Sequence, residues 1–334
     1  MSETKLEPME LLASDDVHEG AVMRAAFSQD GKSFLTLAND RSIVQRSSLT
    51  GAVKTSSVKE SDGLLTFTKV YDVGYCRDEP MILTDSTEQT VVCNPFSGRI
   101  LKAGVHKAMV DGSLASCGTK ALLTAAFGDI WVLDLQNEGG AGLKYSLLTD
   151  ANWVRFMPDS EQVVACRQIG GTSYVMSAVR GKSPLKIRNP KTRNEGWISR
   201  LRGIGSIWQF AVAGPGRLAA LTSFKLHKKI FILSTTDGHV EREFELPHDY
   251  VHCDYLVFSP DGSRLFAVLK KLNLTGSLIP PAFDYHLCEI RLSPFDQEVL
   301  LHPCPDNACF LAVSPDASQL IVGTKAGHVA IFPI

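Results

Sequence analysis

The chain has 334 residues, with 34 Lys plus Arg against 36 Asp plus Glu and a formal net charge of −2. That balance gives no global charge to attract DNA or a membrane surface, and 44% apolar with 21% charged residues excludes a disordered chain. No apolar run approaches the roughly 20 residues of a membrane helix, and the acidic opening MSETKLEPMELLASDDVHEG is unlike a signal peptide, so the expected location is cytoplasmic or nuclear, with no membrane partner.

In chain order, the alternating stretch KLEPMELLAS at 5–14 reads as a strand without a local partner. AAFSQDGKSFLTLANDRSIVQRSSLTG from Ala25 then reads strand, turn, strand, turn, strand. The same phrase returns from Gly74, Gly112, Val154, Phe210 and Val257, and last as LAVSPDASQLIVGTKAGHVAIFPI from Leu311. In VFSPDG at 257–262 the turn chemistry is explicit: Pro260 presets φ, Asp261 can bond nearby backbone, and Gly262 accepts positive φ. Helix-period patterns are nearly absent.

The phrases are anchored near residues 27, 75, 114, 156, 212, 258 and 313, with spacings of 48, 39, 42, 56, 46 and 55. A period of about 40–45 residues with several strands per unit is the signature of a β-propeller, since one four-stranded blade cannot bury both faces alone. The expectation is an all-β, seven-bladed β-propeller spanning 1–334 as a single domain. The last blade has only three strands after Cys309, so the strand at 5–14 is expected to complete it and close the ring.

Along its whole length the sequence resembles the WD40-repeat family. The FS-x-DG turn stands at Phe27–Gly31 and Phe258–Gly262, and His18 precedes Phe27 by nine residues, the family's placement of a histidine before an inner strand. The resemblance implies a structural network of His18, Asp40 and an intervening hydroxyl, for which Thr36 is the candidate. The closing Trp-Asp dipeptide is missing: the corresponding places read RS at 46–47, CN at 93–94, LD at 133–134 and LS at 233–234. The family is one of interaction scaffolds, so the resemblance also implies a non-enzymatic role in a larger assembly.

No nucleophile elbow, phosphate-binding loop, zinc-protease helix or dinucleotide fingerprint is present, so no catalytic, cofactor-binding or metal-ligating residue is expected. His248 and His252, with Asp249 and Asp254, read as a blade-entry loop, because i, i+4 spacing joins ligands on a helix and not on a strand. The eight cysteines mostly sit in apolar runs and read as reduced core thiols.

Two long spacings mark insertions. The segment at about 180–203 carries eight basic residues and one acid between Arg180 and Arg202, a local +7 that leaves −9 for the rest of the chain. Arg188, Lys191, Arg193, Trp197, Arg200 and Arg202 are its candidates for holding an acidic protein or RNA. The segment at about 270–284 contains Leu278, Ile279 and Phe283 around Pro280 and Pro281, and reads as a proline-stiffened apolar hairpin tip that either projects to dock a protein partner or folds over its own blade. The leading expectation is a protein–protein interaction scaffold with no homo-oligomer indicated. Its rivals are an RNA-binding subunit using 180–202 and a propeller enzyme with its site in a central channel.

Overall fold

The computed structural model describes residues 13–16, 18–57, 69–85, 89–103, 109–125, 129–136, 143–146, 153–157, 162–166, 174–177, 206–214, 217–223, 229–234, 240–246, 249–273, 282–292, 297–305 and 307–334. These residues contain strands and turns, and no helix. The fold is all-β.

The strands form seven antiparallel sheets, six of them consecutive in sequence. The first is β2–β5 (Val22–Phe27, Ser33–Ala38, Ile43–Ser47, Val53–Ser57). The second is β6–β9 (Lys69–Cys76, Glu79–Asp85, Thr90–Cys93, Ile100–Ala103). The third is β10–β13 (Met109–Leu114, Lys120–Ala125, Asp129–Asp134, Leu143–Ser146). Three described strands, β14–β16 (Trp153–Phe156, Gln162–Cys166, Tyr174–Ser177), make the fourth. The fifth is β17–β20 (Ser206–Ala213, Arg217–Ser223, Lys229–Ser234, Val240–Glu245). The sixth is β21–β24 (Tyr250–Phe258, Arg264–Asn273, Ala282–Leu292, Gln297–Pro303).

The seventh sheet joins the two ends of the chain. Its order is β25–β26–β27 (Ala308–Val313, Gln319–Thr324, His328–Pro333) followed by β1 (Ala13–Asp16). β1 pairs antiparallel with β27, Ala13 opposite Ile331 and Asp16 opposite His328. The N-terminal segment therefore supplies the fourth strand. The pairing lies at 13–16, and of the expected 5–14 stretch residues 5–12 are outside the described residues.

Among the described residues, neighbouring sheets share cores at five junctions. Leu35, Leu37 and Ile43 of the first sheet share a core with Val73, Tyr75 and Ile82 of the second. Met81 and Leu83 meet Leu114 and Leu123 of the third, and the fifth and sixth sheets share Ile230, Phe244, Leu265 and Ile290. Phe266 and Leu287 of the sixth pack on Leu311 and Leu320 of the seventh. Val22 and Phe34 of the first sheet pack on Phe310, Ile321 and Ile331 of the seventh, so the last sheet rests on the first. Sandwiching on both faces explains why β3 and β8 are buried at every position and why these strands read as continuous apolar runs.

The recurrent Ser-x-Asp turn links the first and second strands. Ser28 Oγ donates to Asp30 Oδ1 at 2.7 Å, Ser259 Oγ to Asp261 Oδ1 at 2.5 Å, and Ser314 Oγ to Asp316 Oδ1 at 2.6 Å. Each turn closes with an amide of a left-handed residue donating to the serine carbonyl: Gly31 and Gly262, both at φ 70°, and Ala317 at φ 57°. Glycine adopts that φ freely, whereas Ala317 adopts it against its own Cβ. The serine and lysine donors around these carboxylates hold all three aspartates below the usual range, and the hydrogen bond from Ser259 leads in bringing Asp261 to about 2.

Candidate functional site

The first strand of each sheet carries the chemistry. Six of these seven strands hold a β-bulge near their start, with Met23, Tyr71, Val110, Trp208, Val251 and Cys309 as the extra residues. β21 holds a second bulge at Asp254. A bulge bends its strand and re-aims the side chains beside it. At this bulged end Met23 and Val251 are 45% and 46% exposed, while Leu49, Val53 and Ile100 are exposed at the β4–β5 and β8–β9 connections toward the other end.

Behind the bulges lies a layer of paired charge. Arg155 Nη1 donates to Asp111 Oδ2 at 2.9 Å, and Arg24 Nη2 stands 4.0 Å from Asp111 Oδ1. Asp111 Oδ2 also accepts the Val154 amide at 3.3 Å, and Asp72 Oδ2 accepts the Leu114 amide at 2.8 Å. Each carboxylate thus caps a main-chain donor on the first strand of the following sheet, which would otherwise be an unpaired edge group. Burial pushes the Asp72 carboxyl up against the opposing pull of Arg24 and Arg155. Tyr255 is pushed up by burial as well, and its ring packs on Phe310 with centroids 4.7 Å apart.

Toward the end with the Ser-x-Asp turns this layer floors a cavity of about 610 Å³. Its lining takes at least one residue from every sheet: Phe27, Tyr75, Leu114, Phe156, Val212, Tyr255 and Val313. Arg24, Asp72, Arg155 and Tyr255 face it from the floor.

The hydroxyl–histidine network lies at the bulged end of the first sheet. His18 is 5% exposed, with Nε2 2.8 Å from Thr36 Oγ1 and Nδ1 2.5 Å from Ser42 Oγ. Ser42 Oγ donates to Asp40 Oδ1 at 2.6 Å, and the Ser42 and Glu19 amides also bind Asp40. Ser42, not Thr36, therefore stands between His18 and Asp40. The Ser42 proton is committed to Asp40, so His18 Nδ1–H donates to Ser42 and Nε2 accepts from Thr36: the imidazole is neutral. Burial, aided by the buried Arg46 charge and opposed by Asp40, lowers His18 to about 4. Burial raises the Asp40 carboxyl but is outweighed by its Ser42, Glu19 and His18 contacts, so its net direction is down.

Of the other expected site residues, Arg188, Lys191, Arg193, Trp197, Arg200, Arg202, Leu278 and Ile279 lie outside the described residues. Phe283 belongs to β23, opposite Leu272, and packs partly buried against the core shared by the sixth and seventh sheets. Lys270 lies over its ring at 5.2 Å. It is thus a packed strand residue and not part of an exposed tip. β22 and β23, at 10 and 11 residues, are long arms paired in register from Arg264 opposite Arg291 to Asn273 opposite Ala282. His252 and Lys270 both bind Asp254, at 3.2 Å each. Cys117 is exposed, whereas Cys93, Cys253 and Cys288 are buried thiols.

Arg24, Asp72, Asp111, Tyr255 and Phe310 were not singled out from the sequence, yet each lies three residues before an anchor of the repeat, at 27, 75, 114, 258 and 313. That shared position was the available signal. Among the described residues no group of three or more His, Cys, Asp or Glu side chains is placed to hold a metal ion. No described helix is long and apolar enough to cross a membrane. The sequence matches no protein-family model and no curated protein.

Proposed function

We propose that the chain is a seven-bladed, WD40-like β-propeller, closed by β1, that acts as a non-enzymatic scaffold binding protein partners at its bulged end. The ring reading is supported by seven sheets that share cores at five junctions, by the core joining the seventh to the first, and by a cavity lined from all seven. The resemblance of the FS-x-DG turns and the His18 network to the WD40 pattern supports the same reading, with Arg46 buried where that pattern has tryptophan.

One observation carries the functional part: the bulge recurs at the same place in six first strands, and two of the residues it re-aims are exposed and apolar. Packing within a sheet does not need a bulge, and a bulge repeated at one end of the sheets re-aims the side chains there for contact. Crosslinking mass spectrometry of the native assembly tests it. Crosslinks concentrated near residues 18–23, 249–252 and 270–273 support the scaffold. Crosslinks confined to the end with the Ser-x-Asp turns reject this placement.

A further inference from the structure

The cavity floor has more hydrogen-bond donors than acceptors. Arg24 commits Nη1 to the Met23 carbonyl at 2.8 Å and only approaches Asp111 with Nη2. Arg155 commits Nη1 to Asp111 and to the Val154 carbonyl at 2.6 Å. Among the described residues, Arg24 Nε, Arg155 Nε and Nη2, and the Tyr255 hydroxyl have no further acceptor.

Of the carboxylate oxygens beside them, three already accept hydrogen bonds, and the fourth, Asp111 Oδ1, stands 4.0 Å from Arg24 Nη2. Asp72 takes the Val73 amide on Oδ1 at 3.0 Å and the Leu114 amide on Oδ2, while Asp111 takes Val154 and Arg155. A guanidinium fork with free N–H groups is matched by a planar, acceptor-only anion. Above the floor the walls change character: Phe27, Tyr75, Phe156 and Met157 are apolar or aromatic. The volume lies within the roughly 300–1,000 Å³ of small-ligand pockets, which combine apolar walls with a few convergent polar groups.

We propose that this cavity binds a carboxylate carried on an apolar stem, inserted head first so that the carboxylate meets Arg24, Arg155 and Tyr255 while the stem lies along Phe27, Phe156 and Met157. The site is at the opposite end from the bulges, so it stands whether or not that end holds proteins. Two sources share the ligand chemistry: a free medium-chain carboxylic acid, and the C-terminus of a peptide ending in apolar residues.

The test uses the full chain labelled with ¹³C at its methionine methyls, so that Met157 reports from the cavity wall. It is titrated with octanoate, octylamine, and acetyl-Gly-Ala-Leu-Leu with a free or an amidated C-terminus. The expected result is a saturable shift of the Met157 methyl with at least one carboxylate and none with octylamine or the amidated peptide. Tighter binding of octanoate or of the free peptide assigns the source. Arg24→Gln is expected to weaken the carboxylate by about 10-fold or more, the size of one lost charged hydrogen bond. Tyr255→Phe, a change of one hydroxyl, should weaken it by about 3-fold or more and keeps the test alive if Arg24→Gln does not fold. Equal binding of octylamine and octanoate, an unmoved Met157 methyl, or unchanged affinity in a folded variant overturns the proposal.

Discussion

Acidification should unpick the first sheet through His18. The imidazole is enclosed and neutral, donating to Ser42 and accepting from Thr36, and its folded pKa of about 4 lies below the ordinary 6.5. The unfolded chain therefore takes up a proton first as pH falls. Stability due to this group is complete above pH 6.5, declines between 6.5 and 4, and is fully lost below about 4. From pH 6.5 to 5 the interval is 1.5 pH units, which at 1.36 kcal/mol each gives a loss of about 2 kcal/mol.

Urea unfolding at pH 7.5 and pH 5 measures this loss in the native chain and in His18→Gln, which removes the titrating group. Other histidines contribute equally to both proteins, since burial lowers His252 and His286 in either. The difference between the two pH effects therefore isolates His18. The native chain should lose about 2 kcal/mol more than the variant on acidification. The same loss in both proteins, or a His18 ring that titrates near 6.5 by NMR in the folded protein, refutes the reasoning.

Three further outcomes follow from the packing and the turns. Ser42→Ala should destabilise by about 1–3 kcal/mol, because it strands the His18 Nδ1–H and removes one of the two bonds to Asp40 Oδ1, and thermal melts should show it costing more than Thr36→Val. Ala317→Gly should raise stability by up to about 1 kcal/mol, because relief of the left-handed strain exceeds the entropy cost of glycine, and calorimetry at matched pH checks the sign. Phe283→Ser should lower stability by about 1–2 kcal/mol, since the ring is packed on the core beneath Lys270, and an unchanged urea midpoint would return it to an exposed loop.

The turns and first strands were legible because their determinants are local. The anchors at 27, 114, 156 and 258 are the last residues of β2, β10, β14 and β21, and the Ser-x-Asp turns hold the bonds that their residue types suggest. What was misplaced depends on partners distant in sequence. β1 reads Ala-Ser-Asp-Asp, without an apolar pattern, and its position is set by pairing with β27 across more than 300 residues. Thr36 and Ser42 are equally plausible hydroxyls in the sequence. Only the turn that brings the Ser42 amide and hydroxyl onto Asp40 separates them. Phe283 follows two prolines and so reads as a loop tip, yet β23 begins at Ala282 because the hairpin arms extend in register to Asn273. The charged floor was missed for a related reason: Arg24 and Asp111 share a position in the repeat, but Arg155 does not, and the three come from different sheets.

The seventh sheet is where the ring account is most exposed to contradiction, and amide hydrogen exchange along β27 reads it directly. Alternate amides of an antiparallel strand point to opposite neighbours, here β26 on one side and β1 on the other. If β1 completes this sheet in the full chain, residues 328–331 should show unbroken protection comparable to that of residues 320–323 in β26. Protection at every second residue of β27, with the intervening amides exchanging like an open edge, would mean that β1 does not hold the two ends of the chain together and would contradict the closed ring.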